Sequence, residues 1–299
     1  MAILTANERS GRPAARRTAT PFLRWAGGKR WLIRELHQLP RRPRRTYFEP
    51  FLGSGAVFFA LRPKVALLSD INGELIAAYR VVRDRLPELL EELSALENTI
   101  EVYERVRATV PRDLVSRAAR LIYLNKTAWN GLYRVNSSDC FNVPYGHDSD
   151  RDVVNAPGLR AASESLQTAV LRTSPFSTML SKAGPGDLIY ADPPYVTNGS
   201  EQAFHLYDPE RFSWAAQRRL ASALRRVDRA GARFLLSNGN DPSIRSLYEG
   251  FEVHVLHRSS VIAGDPKHRR RVTELLISNF PVRLAAETDQ TAPTQGVPS

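Results

Sequence analysis

One cysteine, Cys140, stands among 299 residues, which excludes an internal disulfide and any cysteine-based zinc cluster and fits a reducing cytosol. The six histidines show no metal-ligand spacing, so no metal centre is expected. Long apolar runs are also missing. The most apolar stretch, Pro50 to Leu61, is too short to span a bilayer, and no apolar h-region opens the chain. Neither a membrane anchor nor a secretory signal is expected, and the expected location is the cytoplasm. Two phosphate-binding signatures are absent as well: there is no GxxxxGKS or GxxxxGKT cradle and no GxGxxG with its third glycine. A cofactor without phosphates is favoured.

Acidic residues are in deficit. Asp and Glu number 31 against 42 Lys and Arg, a net charge of +11. A protein this basic usually meets a polyanion, because released counterions drive phosphate binding. An arginine-rich compositional bias would give the same number. The hydrophobic fraction of 42% is ordinary for a chain that buries a full core.

Residues 1–20 and 283–299 lack periodicity and read as tails, the first of them basic. Between them strand-like and helix-like segments alternate, as in an α/β sheet. Strands are expected at 46–49, 65–69, 168–173, 187–191, 233–238, 252–257 and 272–279. A helix should follow from Ala56 to Leu61, and another behind the cap Asn72, with Leu75, Ile76, Tyr79 and Val82 on one face. The stretch 84–164 breaks the rhythm. Its helical first part gives way to a hairpin around Trp129–Asn136 with polar and aromatic tips, and it reads as an inserted subdomain reaching toward a partner. The remaining segments, 21–83 and 165–282, would form the catalytic domain.

The most informative residues are Asp192-Pro193-Pro194-Tyr195, which end the apolar run Leu188–Ala191. Proline lacks the N–H and fixes φ, so this corner cannot continue a central strand and holds its side chains rigidly. Asp192 and the carbonyl of Pro193 can accept hydrogen bonds from an exocyclic amine, and the Tyr195 ring can stack on a base. Upstream, Gly53-Ser54-Gly55 follows the first strand and lets the backbone approach a ligand closely. Asp70 ends the next strand, where an acid can take both hydroxyls of a ribose. S-adenosylmethionine has a ribose, an adenine and a zwitterionic tail but no phosphate. A second glycine pair lies in Trp25-Ala26-Gly27-Gly28-Lys29. Trp25 could wall the cofactor and Lys29 meet its carboxylate; taken alone, the segment reads as a helix-opening turn with a core tryptophan.

Six ordered motifs then carry a resemblance. They are Trp25–Lys29, Phe48–Gly55, Ser69–Asn72, Asn130–Asn136, Phe141–Gly146 and Asp192–Tyr195. Together, over residues 21–282, they resemble the Dam-type DNA adenine-N6 methyltransferases of the alpha motif order. The resemblance implies a Rossmann-like, S-adenosylmethionine-dependent sheet of seven strands, the last antiparallel, with an inserted target-recognition subdomain at 84–164. It implies cofactor contacts at Trp25, Gly27, Gly28, Lys29, Glu49, Phe51, Gly53, Ser54, Gly55, Asp70, Ile71 and Asp192. Asp192, Pro193, Pro194 and Tyr195 would be catalytic and bind a flipped adenine.

Contacts to double-stranded DNA would come from Arg24, Trp129, Asn130, Leu132, Arg134, Asn136 and Pro144, and from Lys267, Arg269 and Arg270 beside the last strand. The site in much of the family is GATC. Arg24 stands where well-known members carry a base-contacting lysine, and Asp148 where some carry an aromatic; both bear on the sequence recognised. The family usually works as a monomer. A cognate restriction endonuclease at the same site, a role in strand marking and a phage origin all stay open.

Without the resemblance, Arg134 reads as a surface phosphate contact and residues 267–271 as a solvated charge run; Asn238 ends its strand and could touch the pocket, although a turn cap is the commoner role, and Cys140 reads as a loop residue without catalytic duty. Other readings of the corner are methylation of cytosine N4, RNA adenine or protein glutamine. The cytosine and glutamine enzymes usually carry Ser or Asn where this chain has Asp192. A catalytically idle DNA-binding regulator is the reading from another class.

Overall fold

The structure, a computed structural model, describes residues 19–25, 27–35, 43–136, 140–148, 152–196, 212–259, 271–282 and 284. Lys267, Arg269 and Arg270 lie outside the described residues, as does most of both expected tails.

Seven strands form one sheet: β1 (Tyr47–Glu49), β2 (Ala66–Asp70), β3 (Ala169–Thr173), β4 (Leu188–Ala191), β5 (Arg233–Gly239), β6 (Glu252–Ser259) and β7 (Arg271–Ser278). Their order is β3-β2-β1-β4-β5-β7-β6. The pairs from β3 across to β5 are parallel, while β7 runs antiparallel to both its neighbours. The expected strands agree with these to within two residues. Central strands β1 and β4 are buried along their whole length, as strands covered on both faces are.

Alternation along each strand sorts the core into two layers. Tyr47, Leu68, Tyr190, Leu235 and Leu276 point into one, against α2 (Ala56–Leu61) and α3 (Gly73–Asp84). Phe48, Ile189, Phe234, Leu236, Leu275 and Ile277 point into the other, against α8 (Phe176–Leu180), α9 (Trp214–Arg229) and α10 (Pro242–Leu247). The Asn72 side chain caps α3 by accepting the Leu75 N–H at 3.1 Å.

The stretch 84–164 does not bury a core of its own. Helices α4 (Leu86–Ser94), α5 (Ile100–Ala108), α6 (Leu114–Thr127) and α7 (Ala156–Leu166) set Leu89, Tyr103, Ile122, Leu159 and Leu166 into the same cluster as Leu75 and Tyr79 of α3. Each helix has an apolar stripe: α6 and α7 lay theirs against α3, α4 packs on both α6 and α3, and α5 packs on α6. Helix α7 also runs past the expected boundary at 164/165. Ala19 and Leu284, inside the stretches expected to be tails, are both buried in this core.

Sheet order reverses between β1 and β4. In an open parallel sheet this creates a crevice at the carboxyl ends of those strands. Glu49, Asp70 and Asp192 all stand at that edge, as does the short α1 (Arg30–Glu35) through its leading loop.

Candidate active site

The turn after β1 is built onto the end of β2. Asp70 Oδ2 accepts the Gly53 N–H at 3.0 Å, and its Oδ1 accepts the Asn72 N–H at 3.0 Å. Tyr79 donates from its hydroxyl to the Gly53 carbonyl at 3.0 Å. Gly53 has φ +47, and a Cβ there would come within 3.0 Å of Trp25 Cδ1, so the indole lies directly on the turn. Burial raises the Asp70 pKa, while the N–H bonds from Asn72 and Gly53 pull it back. Each carboxylate oxygen keeps a lone pair that these bonds do not use. Ile71 beside it is 60% exposed, and Phe51 stacks on Phe176 with centroids 5.4 Å apart.

Glu49 is fully enclosed at the end of β1. Its Oε2 accepts from the Tyr47 hydroxyl at 2.7 Å and from the Phe58 N–H at 3.2 Å. Burial pushes its pKa up to about 8 against those two bonds, and the charges of Asp192 and Asp70 add to the rise.

The second glycine pair joins the first. A Cβ on Gly28 would stand 3.6 Å from Ser54 Oγ, and the turn closes through the Gly28 N–H to the Trp25 carbonyl at 3.0 Å. It delivers Lys29, almost fully buried, into the crevice. Lys29 Nζ donates to the Gly27 carbonyl at 2.6 Å and to Asp192 Oδ1 at 2.9 Å. It also lies 3.7 Å from Glu274 Oε2 and 5.0 Å from the centre of the Tyr195 ring. Asp192 keeps 18% of its side chain open to solvent but lies deep among protein atoms. That burial raises its pKa to about 6, opposed by the Lys29 ammonium and reinforced by Glu274.

Tyr195 donates to Glu274 at 2.7 Å and sits 3.4 Å from Asp192 Oδ1, its ring packed over Gly239. Beneath the corner, Gln217 of α9 donates to the Pro194 carbonyl at 3.2 Å, and its amide pairs with that of Asn238. Asn238 is therefore no turn cap: it is a fully buried strand residue whose Oδ1 also accepts the Gly239 N–H.

Glu274 and Gln217 escaped the sequence reading although each leaves a trace there. Glu274 is a lone acid inside the apolar run of β7, and Gln217 a polar residue on the buried stripe of α9.

The hairpin forms where it was expected. Antiparallel bridges join Ala128 to Tyr145 and Val135 to Phe141, and the Trp129 N–H donates to the Pro144 carbonyl at 2.9 Å. Trp129, Asn130, Arg134, Asn136 and Pro144 are exposed, whereas Leu132 is half-buried. Arg134 Nε donates to Asn142 Oδ1 at 2.8 Å. Arg24, also exposed, lays its side chain against Gly131. Cys140 is exposed on the same hairpin.

Among the described residues no cluster of His, Cys, Asp and Glu could hold a metal ion, and no helix is long and apolar enough to cross a membrane.

The family model and the sequence relatives agree on one family. The family model for D12 class N6 adenine-specific DNA methyltransferases matches residues 25–262. The type II methyltransferase M1.LlaDCHI of Lactococcus lactis subsp. cremoris is 35% identical over 271 residues, 87% of this chain and 95% of that protein. M.MjaIII of Methanocaldococcus jannaschii, also a type II methyltransferase, is 34% identical over 285 residues, covering 87% and 99%. The DNA adenine methylase of Escherichia coli is 30% identical over 262 residues, covering 85% and 93%. A carboxylate–proline corner beside a glycine turn, on a sheet with one antiparallel strand and over this much shared sequence, has one reading: the chain belongs to the D12 class of DNA methyltransferases, which act in a site-specific way on N6 of adenine.

Proposed function

We propose that the methyl donor is S-adenosylmethionine, and that the acceptor is an adenine rotated out of duplex DNA into the crevice beside Asp192. The observation that carries this reading is the Lys29–Asp192 ion pair at 2.9 Å, which joins the loop of the second glycine pair to the acidic corner in one cleft. The residues fit the donor. Trp25 lies on Gly53, Asp70 keeps acceptor capacity for ribose hydroxyls, and Lys29 and Glu49 suit a carboxylate and an ammonium. Phe51 and Ile71 offer apolar surface to an adenine ring, and Gly27, Gly28, Ser54 and Gly55 form the turns that bring backbone close. Bound there, the donor would supply a sulfonium-activated methyl group.

The rest of the chemistry belongs to the chain. The N6 lone pair is delocalised into the purine ring, so the amine is a poor nucleophile. Asp192 and the Pro193 carbonyl accept its two N–H bonds and draw the lone pair out of the ring plane, while Pro194 keeps the corner rigid. Tyr195 stacks on the base, offsetting part of the few kcal/mol that flipping costs, ~1–3 kcal/mol for such a stack. Positioning and charge complementarity do most of the work.

On the DNA, Arg134 grips a guanine edge through O6 and N7, worth ~1–3 kcal/mol of discrimination. Trp129 and Leu132 wedge the duplex open beside the flipped base. Asn130, Asn136, Pro144 and Arg24 read or line the site, and Lys267, Arg269 and Arg270 track phosphates. The recognised site is GATC or a relative of it. The names of the Lactococcus and Methanocaldococcus relatives support a restriction–modification setting, with an endonuclease cutting the same site. The enzyme acts as a cytoplasmic monomer.

Labelled S-adenosylmethionine incubated with duplex DNA, RNA and a protein extract should label the DNA alone. Asp192→Ala should lose transfer and keep DNA binding; normal turnover by that variant would remove its assigned role. Long-read mapping of modified adenines in plasmid from a methylation-free host identifies the site.

A further inference from the structure

One buried amide joins the hairpin to the loop that carries Lys29. Asn125, in the last turn of α6, is fully buried. Its Oδ1 accepts the Arg24 N–H at 2.8 Å, and its Nδ2 donates to the Arg24 carbonyl at 2.7 Å. A third bond runs from Nδ2 to the Gly131 carbonyl at 3.2 Å. The side chain thus pairs with the Arg24 backbone much as a neighbouring strand would, while also holding the turn that begins the hairpin.

Two further contacts lie alongside. Gly131 sits at φ +64, and a Cβ there would crowd the Arg24 side chain and approach the Asn125 carbonyl to 3.2 Å. The Trp25 indole stacks on the Tyr133 ring, with centroids 5.0 Å apart and planes 21° from parallel. Arg24 and Trp25 run directly into Lys29, whose ammonium reaches Asp192. A Leu or Met would fill the Asn125 space as well; what an amide adds is a fixed register between Arg24, 101 residues from Asn125 in sequence, and Gly131, six residues from it.

We infer that Asn125 is a positioning residue that couples target reading to donor binding, so that the correct DNA site strengthens the hold of Trp25 and Lys29 on the donor. The inference rests on the reading above, in which the hairpin reads DNA and those two residues hold the donor. The physical basis is that the two strips are packed and hydrogen-bonded as one body, so an arrangement favoured by one ligand is favoured by the other. Such coupling is reciprocal.

The test measures binding of S-adenosylhomocysteine to the full chain in three states: alone, with the duplex found by methylation mapping, and with that duplex changed at one base pair. In the parent protein the correct duplex should tighten binding by about fivefold or more, and the altered duplex should not. Asn125→Ala and Asn125→Asp, the latter isosteric but unable to donate to the two carbonyls, should lose that tightening. Their affinity without DNA should stay within about threefold of the parent, well short of the coupling factor. Tyr133→Leu removes the ring stack while leaving the amide, and should lose most of the same effect even if the Asn125 variants do not fold. Full tightening retained in any of these three variants, or none in the parent, would overturn the inference. Trp25→Ala separates the two ideas. It should bind S-adenosylhomocysteine weakly in every state, and unchanged affinity in that variant overturns the reading of the donor site itself.

Discussion

Tyr195 donates its hydroxyl hydrogen bond to Glu274 at 2.7 Å, so the aromatic end of the β4 corner is held by a carboxylate from the antiparallel strand β7. Glu274 is buried and also lies 3.7 Å from Lys29. Its charge acts on Asp192 as well, adding to the rise of that carboxyl's pKa.

Glu274→Gln should therefore move the acid limb of the pH–rate profile to lower pH. The carboxamide can still accept from Tyr195, but the negative charge that helps hold Asp192 protonated is gone. Glu274→Leu instead leaves the Tyr195 hydroxyl only its long 3.4 Å contact with Asp192 Oδ1, a loss of about 1–3 kcal/mol that should appear mainly in kcat. An unmoved acid limb in Glu274→Gln would discard the electrostatic link.

Ionised Asp192 is a stronger acceptor for an amine N–H than the protonated acid, so turnover should fall as pH drops through about 6. Lys29→Met removes the ammonium that opposes the rise and should shift this limb upward. Stability has the opposite sign. Asp192 and Glu49 have folded values of about 6 and about 8, both above their ordinary ones. Their contribution is fully present below the ordinary carboxylate range and is lost as pH rises through about 6 and then about 8. Denaturant melts at pH 5 and pH 8.5 on Glu49→Gln and Asp192→Asn should show both variants relatively stabilised at the higher pH.

Glu49, at about 8, is mostly protonated at neutral pH. A cationic donor bound beside it would favour the ionised form, so binding should release up to about one proton and tighten as pH rises toward 8. Calorimetry in buffers of different ionisation enthalpy reads that proton directly. Glu49→Gln should abolish the release.

Gly53→Ala introduces a Cβ at φ +47, within 3.0 Å of the Trp25 indole. The left-handed conformation alone costs about 1–2 kcal/mol, and the indole must also shift. A lower melting temperature and weaker binding of S-adenosylhomocysteine are expected; a variant that binds as the parent does would show that Trp25 is not part of the donor's wall.

The Arg134 guanidinium is steadied by its Nε bond to Asn142. Arg134→Ala should relax or weaken the choice of site, and Asn142→Ala should blur it less, because the fork survives but is no longer aimed. Mapping modified adenines in plasmid DNA compares the two, and unchanged patterns in Arg134→Ala would end its role as a reader.

Much of this architecture was open to inspection before any coordinates. Strand positions followed from short apolar runs punctuated by Gly, Pro and Asp, and β4 was expected at 187–191 and found at Leu188–Ala191. Asn72 was readable as a cap because capping is decided within three residues. The turn around Gly53 and the Asp192–Tyr195 corner were visible for the same reason: φ restrictions and missing N–H groups are properties of the local chain. Of the two readings of Asn238, the turn cap failed: an asparagine at a strand end has that local role available, and nothing local reveals a buried amide partner on α9.

By itself, then, the order of residues settled what is decided over a few bonds: which runs extend, where they stop, and which side chains stand at the stops. Only the folded sheet decided who meets whom. Glu274 reaches Tyr195 from 79 positions away and Asn125 reaches Arg24 from 101, because β7 inserts beside β5 and α6 packs against α3. Those meetings depend on the order of strands and the stacking of helices, which set distances between segments that share no local geometry.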